Sequence, residues 1–222
     1  MEKRFSSSIV LLIFLLLLSG CTATASMPEA ERGRIDLSRW HFSQNGSVKL
    51  NGEWSLYPGQ LLSPDELQEG QGGDYIKVPG FWKNHGYLKA GQGHATYRLI
   101  VQVDTSAPNR LLALYLPFGI ESAYKLWING EEKASAGKVG ESKAEMEAKY
   151  LPQTVIFPAD DEVEIVIQVS NYVQRTGGIW DELRLGEAGE VTEFTTMRLA
   201  QEMFVAYTQY TNARVLKIIS TI

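Results

Sequence analysis

The sequence has little of what usually cross-links a small exported domain or drives its chemistry. Cys21 is its one cysteine in 222 residues, so the chain can form neither an internal disulfide framework nor a cysteine-ligated metal centre. His41, His85 and His94 are its three histidines, and they share no metal-type spacing. No loop has the density of acidic side chains that a calcium ion requires. No metal and no cofactor is therefore expected. Positive charge is also short: 21 Lys and Arg stand against 26 Asp and Glu, and no basic stripe is visible, which argues against a nucleic-acid partner. After the first twenty or so residues no apolar run is long enough to span a membrane, and no internal repeat or low-complexity tract occurs.

Catalytic patterns are equally thin. Ser, His and Asp are present without a nucleophile elbow. Adjacent acids occur at Glu131-Glu132, Asp160-Asp161 and Asp181-Glu182. A glycosidase needs two carboxylates flanking one bond, and neighbours on a strand point to opposite faces. These pairs read as solvated acids at turns, and the chain is not expected to be an enzyme.

What is present begins at the N-terminus. Lys3 and Arg4 precede the aliphatic run from Ile9 to Leu18, and small residues follow. This is the layout of a secretory signal. Leu18-Ser19-Gly20-Cys21 resembles the lipobox of bacterial lipoproteins, which implies lipidation at Cys21. The expected location is the outer face of the bacterial cytoplasmic membrane, held by a lipid or by an uncleaved signal anchor. Residues 1–21 are then the signal segment, 22–34 a polar tether, 35–187 a globular domain and 188–222 a helical linker or the truncated start of a membrane region.

Within 35–187 the hydrophobic period is two. Leu112, Leu114 and Leu116 alternate with their neighbours, as do Tyr124, Leu126 and Ile128, Tyr97 to Val103, and Val163 to Val169. Asn129-Gly130 signals a hairpin between the strand ending at Ile128 and a return strand from Glu131 to Ala136. Asn51-Gly52 is a second hairpin candidate, and Trp40 and Phe42 are expected on one face of a strand from Ile35 to Phe42. Ser63-Pro64-Asp65-Glu66 predicts a helix start, and Ser142 with Glu145 predicts a short surface helix. From Glu190 the period changes: Val191, Phe194, Met197, Phe204 and Tyr207 suggest one stripe of an amphipathic helix. Eight or more strands with short turns give an all-β fold, a β-sandwich jelly roll followed by a C-terminal amphipathic helix.

Four stretches carry a resemblance: ATYRLIVQV, LALYLPFGIESAYKLWING, YLPQTVIF and VEIVIQVSNYVQRTGGIWDELRLG. Together they resemble an extracytoplasmic module of bacterial sensor histidine kinases and of cyclases with seven-transmembrane-receptor-type regions. That module is similar to the sugar-binding domain of family-two glycoside hydrolases such as β-galactosidase. The resemblance covers roughly residues 36–186 and implies the galactose-binding-like jelly roll. It implies a non-catalytic ligand-binding sensor module, a fragment lacking the membrane and kinase or cyclase regions. The alternatives are a sugar-binding accessory domain of a glycoside hydrolase and a lipid-anchored protein-interaction domain.

Sugar recognition uses an aromatic face for the C–H side of the ring and planar polar groups for its hydroxyls. Trp82, His85 and Tyr87 form one such loop cluster, and Asn171, Tyr172, Arg175 and Trp180 another. Glu121 and Ser122 lie in the break between two strands, where loops converge. The expected ligand residues are Trp82, His85, Tyr87, Glu121, Ser122, Asn171, Arg175 and Trp180. Trp180 and Asn171 also have plain structural roles open to them, as packing and as a turn cap. The C-terminal helix either packs on its own domain or is a signalling helix that docks on a partner or pairs with a second copy.

Overall fold

The computed structural model describes residues 26–67, 73–86, 91–104 and 110–219. The signal segment with Cys21, and Tyr87 in the aromatic loop, lie outside the described residues. The fold is a β-sandwich with one long C-terminal helix.

The larger sheet runs in the order β10 (Glu131–Ala136), β9 (Ala123–Ile128), β12 (Glu162–Asn171), β6 (Gly93–Val103), β3 (Gly52–Pro58) and β4 (Asp74–Val78), with β1 (Arg34–Leu37) parallel to β6. The smaller sheet runs β11 (Gln153–Pro158), β7 (Leu111–Leu116), β14 (Arg184–Glu187) and β2 (Val48–Lys49). The alternation read from the sequence sets the layers. Tyr97, Leu99, Val101, Leu126, Val163, Ile165 and Ile167 line the inner face of the larger sheet, against Leu112, Leu114, Leu185 and Phe157 of the smaller. Each such side chain contributes about 1.5–3 kcal/mol through burial. On the outer face Arg98 and Glu164 pair across β6 and β12 at 2.6 Å.

Asn129-Gly130 makes the predicted hairpin between β9 and β10, with φ of 50° and 80°. Several other local readings are corrected. Asn51-Gly52 is not a hairpin turn, because β2 and β3 belong to different sheets. Gly52 (φ 119°) instead lets the backbone of Ala30 approach so closely that a Cβ would sit 2.3 Å from its carbonyl oxygen. The first strand stops at Leu37; Trp40 is buried outside any strand, and Phe42 begins a single helical turn, Phe42–Asn45. Ser63 to Glu66 forms only a 3-10 turn, Pro64–Glu66, although the Ser63 amide and hydroxyl both donate to the Glu66 carboxylate. Ser142 to Met146 is one turn and not a helix, because the backbone bonds between Lys138 and Glu147 hold its two ends together. The chain from Gly178 to Glu187 holds two short strands, β13 (Gly178–Ile179) and β14.

The C-terminal helix, Ala188–Ile219, packs the described side chains of its first turns on the sandwich. Val191 is buried against Ala113 and Tyr115 on the outer face of the smaller sheet. Phe194 meets the Tyr115 ring edge-on at 5.9 Å, and the Arg184 guanidinium lies 4.3 Å over Phe194. Arg198 closes this contact with bonds to Asp181 at 2.7 Å and Glu202 at 3.2 Å. Val191, Phe194, Met197, Phe204 and Tyr207 are therefore not one stripe: the first two pack, and the last three are exposed. No helix among the described residues is long and apolar enough to cross a membrane.

Candidate functional site

A third, three-stranded sheet closes one end of the sandwich: β5 (Gly80–Phe81), β13 (Gly178–Ile179) and β8 (Ile120–Glu121). Its register fixes which side chains share a face. Ile179 pairs with Gly80 and Ile120, while Gly178 pairs with Phe81 and Glu121. Ile120, Ile179 and the neighbouring Trp82 point inward and are buried. Phe81, Glu121 and Trp180 therefore fall on the outward face, around a centre at Gly178 that has no side chain. Gly178 (φ 122°) is required there, since a Cβ would meet the Gly80 carbonyl oxygen at 2.6 Å.

Phe81 and Trp180 stack with ring centroids 6.2 Å apart and planes 25° from parallel. Trp180 keeps 38% of its surface exposed. Its indole N–H donates to Glu121 Oε1 at 3.2 Å. Glu121 Oε2 is buried and receives no hydrogen bond. Burial raises this carboxyl above its ordinary range, more than the Trp180 and Ser122 contacts lower it. The adjacent Ser122 hydroxyl does not relieve Oε2, because it gives its proton to Asn171 Oδ1 at 2.8 Å. Lys83 Nζ sits 5.7 Å over the Phe81 ring, and Lys83 also lines a shallow cleft with Gln92, Arg175 and Thr176. One end of the molecule thus combines a stacked aromatic pair, a half-buried carboxyl and two cations.

The eight sequence-selected residues divide sharply. Glu121, Trp180 and Arg175 are at this end and reach its surface. Trp82 is corrected to a core residue: it is fully buried, and its indole N–H donates to the Tyr97 hydroxyl at 2.5 Å. Ser122 and Asn171 are likewise corrected to interior positions. Asn171 donates to Gly91 O at 2.7 Å and Gln174 O at 3.2 Å, and its Oδ1 accepts from the Gln174 amide at 3.0 Å. It thereby ties the loop after β12 to the segment before β6, which is the turn-capping role. The His85 side chain and Tyr87 are outside the described residues.

Phe81 and Lys83 were missed as candidates. The signal for Phe81 was its place beside Trp82: on a strand only one of two adjacent aromatics can enter the core. The paired acids are held by polar partners. Glu131 bonds Lys133, Glu132 bonds Lys125 at 3.1 Å, Asp160 accepts from Asn129 at 2.9 Å, and Glu182 bonds Lys49 at 2.8 Å. Asp181 is held by Arg198. Among the described residues no three His, Cys, Asp or Glu side chains converge as metal ligands.

No protein-family model matches the chain. No curated protein sequence matches it either. Solved structures of family-2 glycoside hydrolases do match at low identity. A GH2 β-galacturonidase from Eisenbergiella tayi bound to galacturonate is 16% identical with a TM-score of 0.43, over 64% of this chain and 24% of that one. A Bacteroides uniformis β-glucuronidase is 15% identical with a TM-score of 0.48, over 63% and 17%. A family 2 member from Bacteroides cellulosilyticus is 16% identical with a TM-score of 0.49, over 63% and 20%. This chain therefore matches a quarter or less of the length of each of these hydrolases.

Proposed function

We propose that this protein is a non-catalytic carbohydrate-binding module whose ligand lies on the outward face of the three-stranded sheet. The observation that carries this reading is the Phe81–Trp180 stack beside the bare centre at Gly178. Exposed aromatic surface meets the C–H face of a pyranose ring, and Glu121, Lys83 and Arg175 meet its hydroxyl or carboxylate substituents. The inward half of the same sheet is packed into the core, which holds the outward half rigid. Both settings expected from the sequence, a sensor protein and a glycoside hydrolase, use such a module without asking it for chemistry. The sensor setting rests on the sequence resemblance.

Titration calorimetry of the protein against neutral and acidic mono- and oligosaccharides tests the reading. We expect binding to at least one sugar, weakened tenfold or more by Trp180→Ala. Silence across the panel from a folded sample, or affinity indifferent to Trp180→Ala, would favour the protein-interaction alternative. The proposed location follows from Cys21 as a lipidated first residue. Labelling with an alkyne-bearing fatty acid in a bacterial host should mark the native chain and miss Cys21→Ser.

A further inference from the structure

The C-terminal helix continues past Arg198, whose guanidinium bonds Asp181 of the sandwich. Beyond that point it carries large apolar side chains that none of the described residues covers: Met203 is 72% exposed, Tyr207 66% and Tyr210 63%. Ala200, Met203, Tyr207 and Tyr210 follow one another at spacings of three, four and three, the seam pattern of a two-helix coiled coil. Leu199 and Phe204 flank the seam and widen it. At 100° per residue this seam is centred about 130° round the helix from Val191, Thr195, Arg198 and Glu202, which face the sandwich.

We infer that this seam is the contact for a second copy of the same chain, paired helix to helix. Three observations select that occupant. The stretch from Leu199 to Thr211 has one charged side chain, Glu202, and Arg198 already takes it. Such a surface has nothing to offer a charged partner and matches an uncharged copy of itself. The stretch is not apolar enough to be a membrane span. The seam is also turned away from the sandwich, so two copies can bring their helices together with the sandwiches on the outside. Phe204, Val205, Tyr207, Thr208, Tyr210 and Thr211 are mediocre helix formers, and a helix built from them needs a covering partner to persist in water.

Multi-angle light scattering and sedimentation of the full chain over a micromolar concentration series test the pairing. A concentration-dependent dimer is expected. Met203→Glu with Tyr207→Glu should raise its dissociation constant at least tenfold, and Gln201→Glu, off the seam, should leave it unchanged. Both variants should keep the thermal melt of the sandwich, since the altered side chains do not touch it. A monomer throughout the series would overturn the inference, as would a dimer that survives the double substitution. Binding to phosphatidylcholine vesicles that the double substitution abolishes, without any dimer, would also overturn it and assign the seam to a lipid surface.

Discussion

Trp82 and Trp180 belong to opposite faces of one small sheet. Trp82 has no exposed surface and spends its indole N–H on the hydroxyl of Tyr97, itself buried. Trp180 keeps more than a third of its surface in solvent and spends its N–H on a carboxylate. The two residues look interchangeable in the sequence, since each sits in a glycine-containing loop. What separates them is the parity set when Gly80-Phe81 and Ile120-Glu121 pair with Gly178-Ile179. One face of that sheet completes the core, and the other is left with aromatic surface and charge.

The comparison can be broken in four ways, ordered by the effect on stability. Trp82→Ala should destabilise the sandwich by about 3–5 kcal/mol, because it opens a cavity and removes the indole N–H that donates to the buried Tyr97 hydroxyl. A urea melt measures this, and a loss below about 1 kcal/mol would mean that Trp82 is not the plug of this end. Asn171→Ala should cost about 2–3 kcal/mol, since Ser122, Gly91 and Gln174 each lose a buried partner. It should also speed amide exchange in the loop after β12. Trp180→Ala should change stability by less than about 1 kcal/mol while removing sugar binding, which is the inverse of the Trp82 result.

Glu121→Gln gives the smallest and most specific effect. A carboxyl whose folded pKa is raised binds its proton more tightly folded than unfolded. Its contribution is therefore full below the unfolded value near 4.3 and is lost as pH rises through the folded value. The wild type should lose stability across that window. The Gln variant keeps an acceptor for Trp180 and carries no charge, so it should show less of that loss in melts between pH 4 and 8. Identical pH profiles for the two proteins would remove Glu121 from the comparison.

Much of the sandwich was legible because its signals are local. The alternation of Val163, Ile165, Ile167 and Val169 survives intact on the inner face of β12, and Asn129-Gly130 turns where two successive positive φ angles are needed. The failures share a cause. Asn51-Gly52 has the same letters as that turn, but its glycine answers to Ala30, twenty-two residues upstream. Ser142 and Glu145 have a helix-start spacing, but the bonds between Lys138 and Glu147 set the loop. Glu121 was visible as a polar interruption between two apolar strands. The pair Phe81-Trp82 showed that one ring had to turn outward, but which one was not legible, because it depends on a strand nearly a hundred residues away.

The Asp181–Arg198 bond has a consequence for access. Asp181 directly follows Trp180, and Arg198 is where the long helix departs, so the stacked rings and the helix exit share one end of the molecule. From Leu199 to Ile219 the helix is a rod about 30 Å long that departs next to the residue following Trp180. A ligand held at Trp180 in the way proposed would therefore have the departing helix as its neighbour, and shortening that helix would change what the ligand meets at this end.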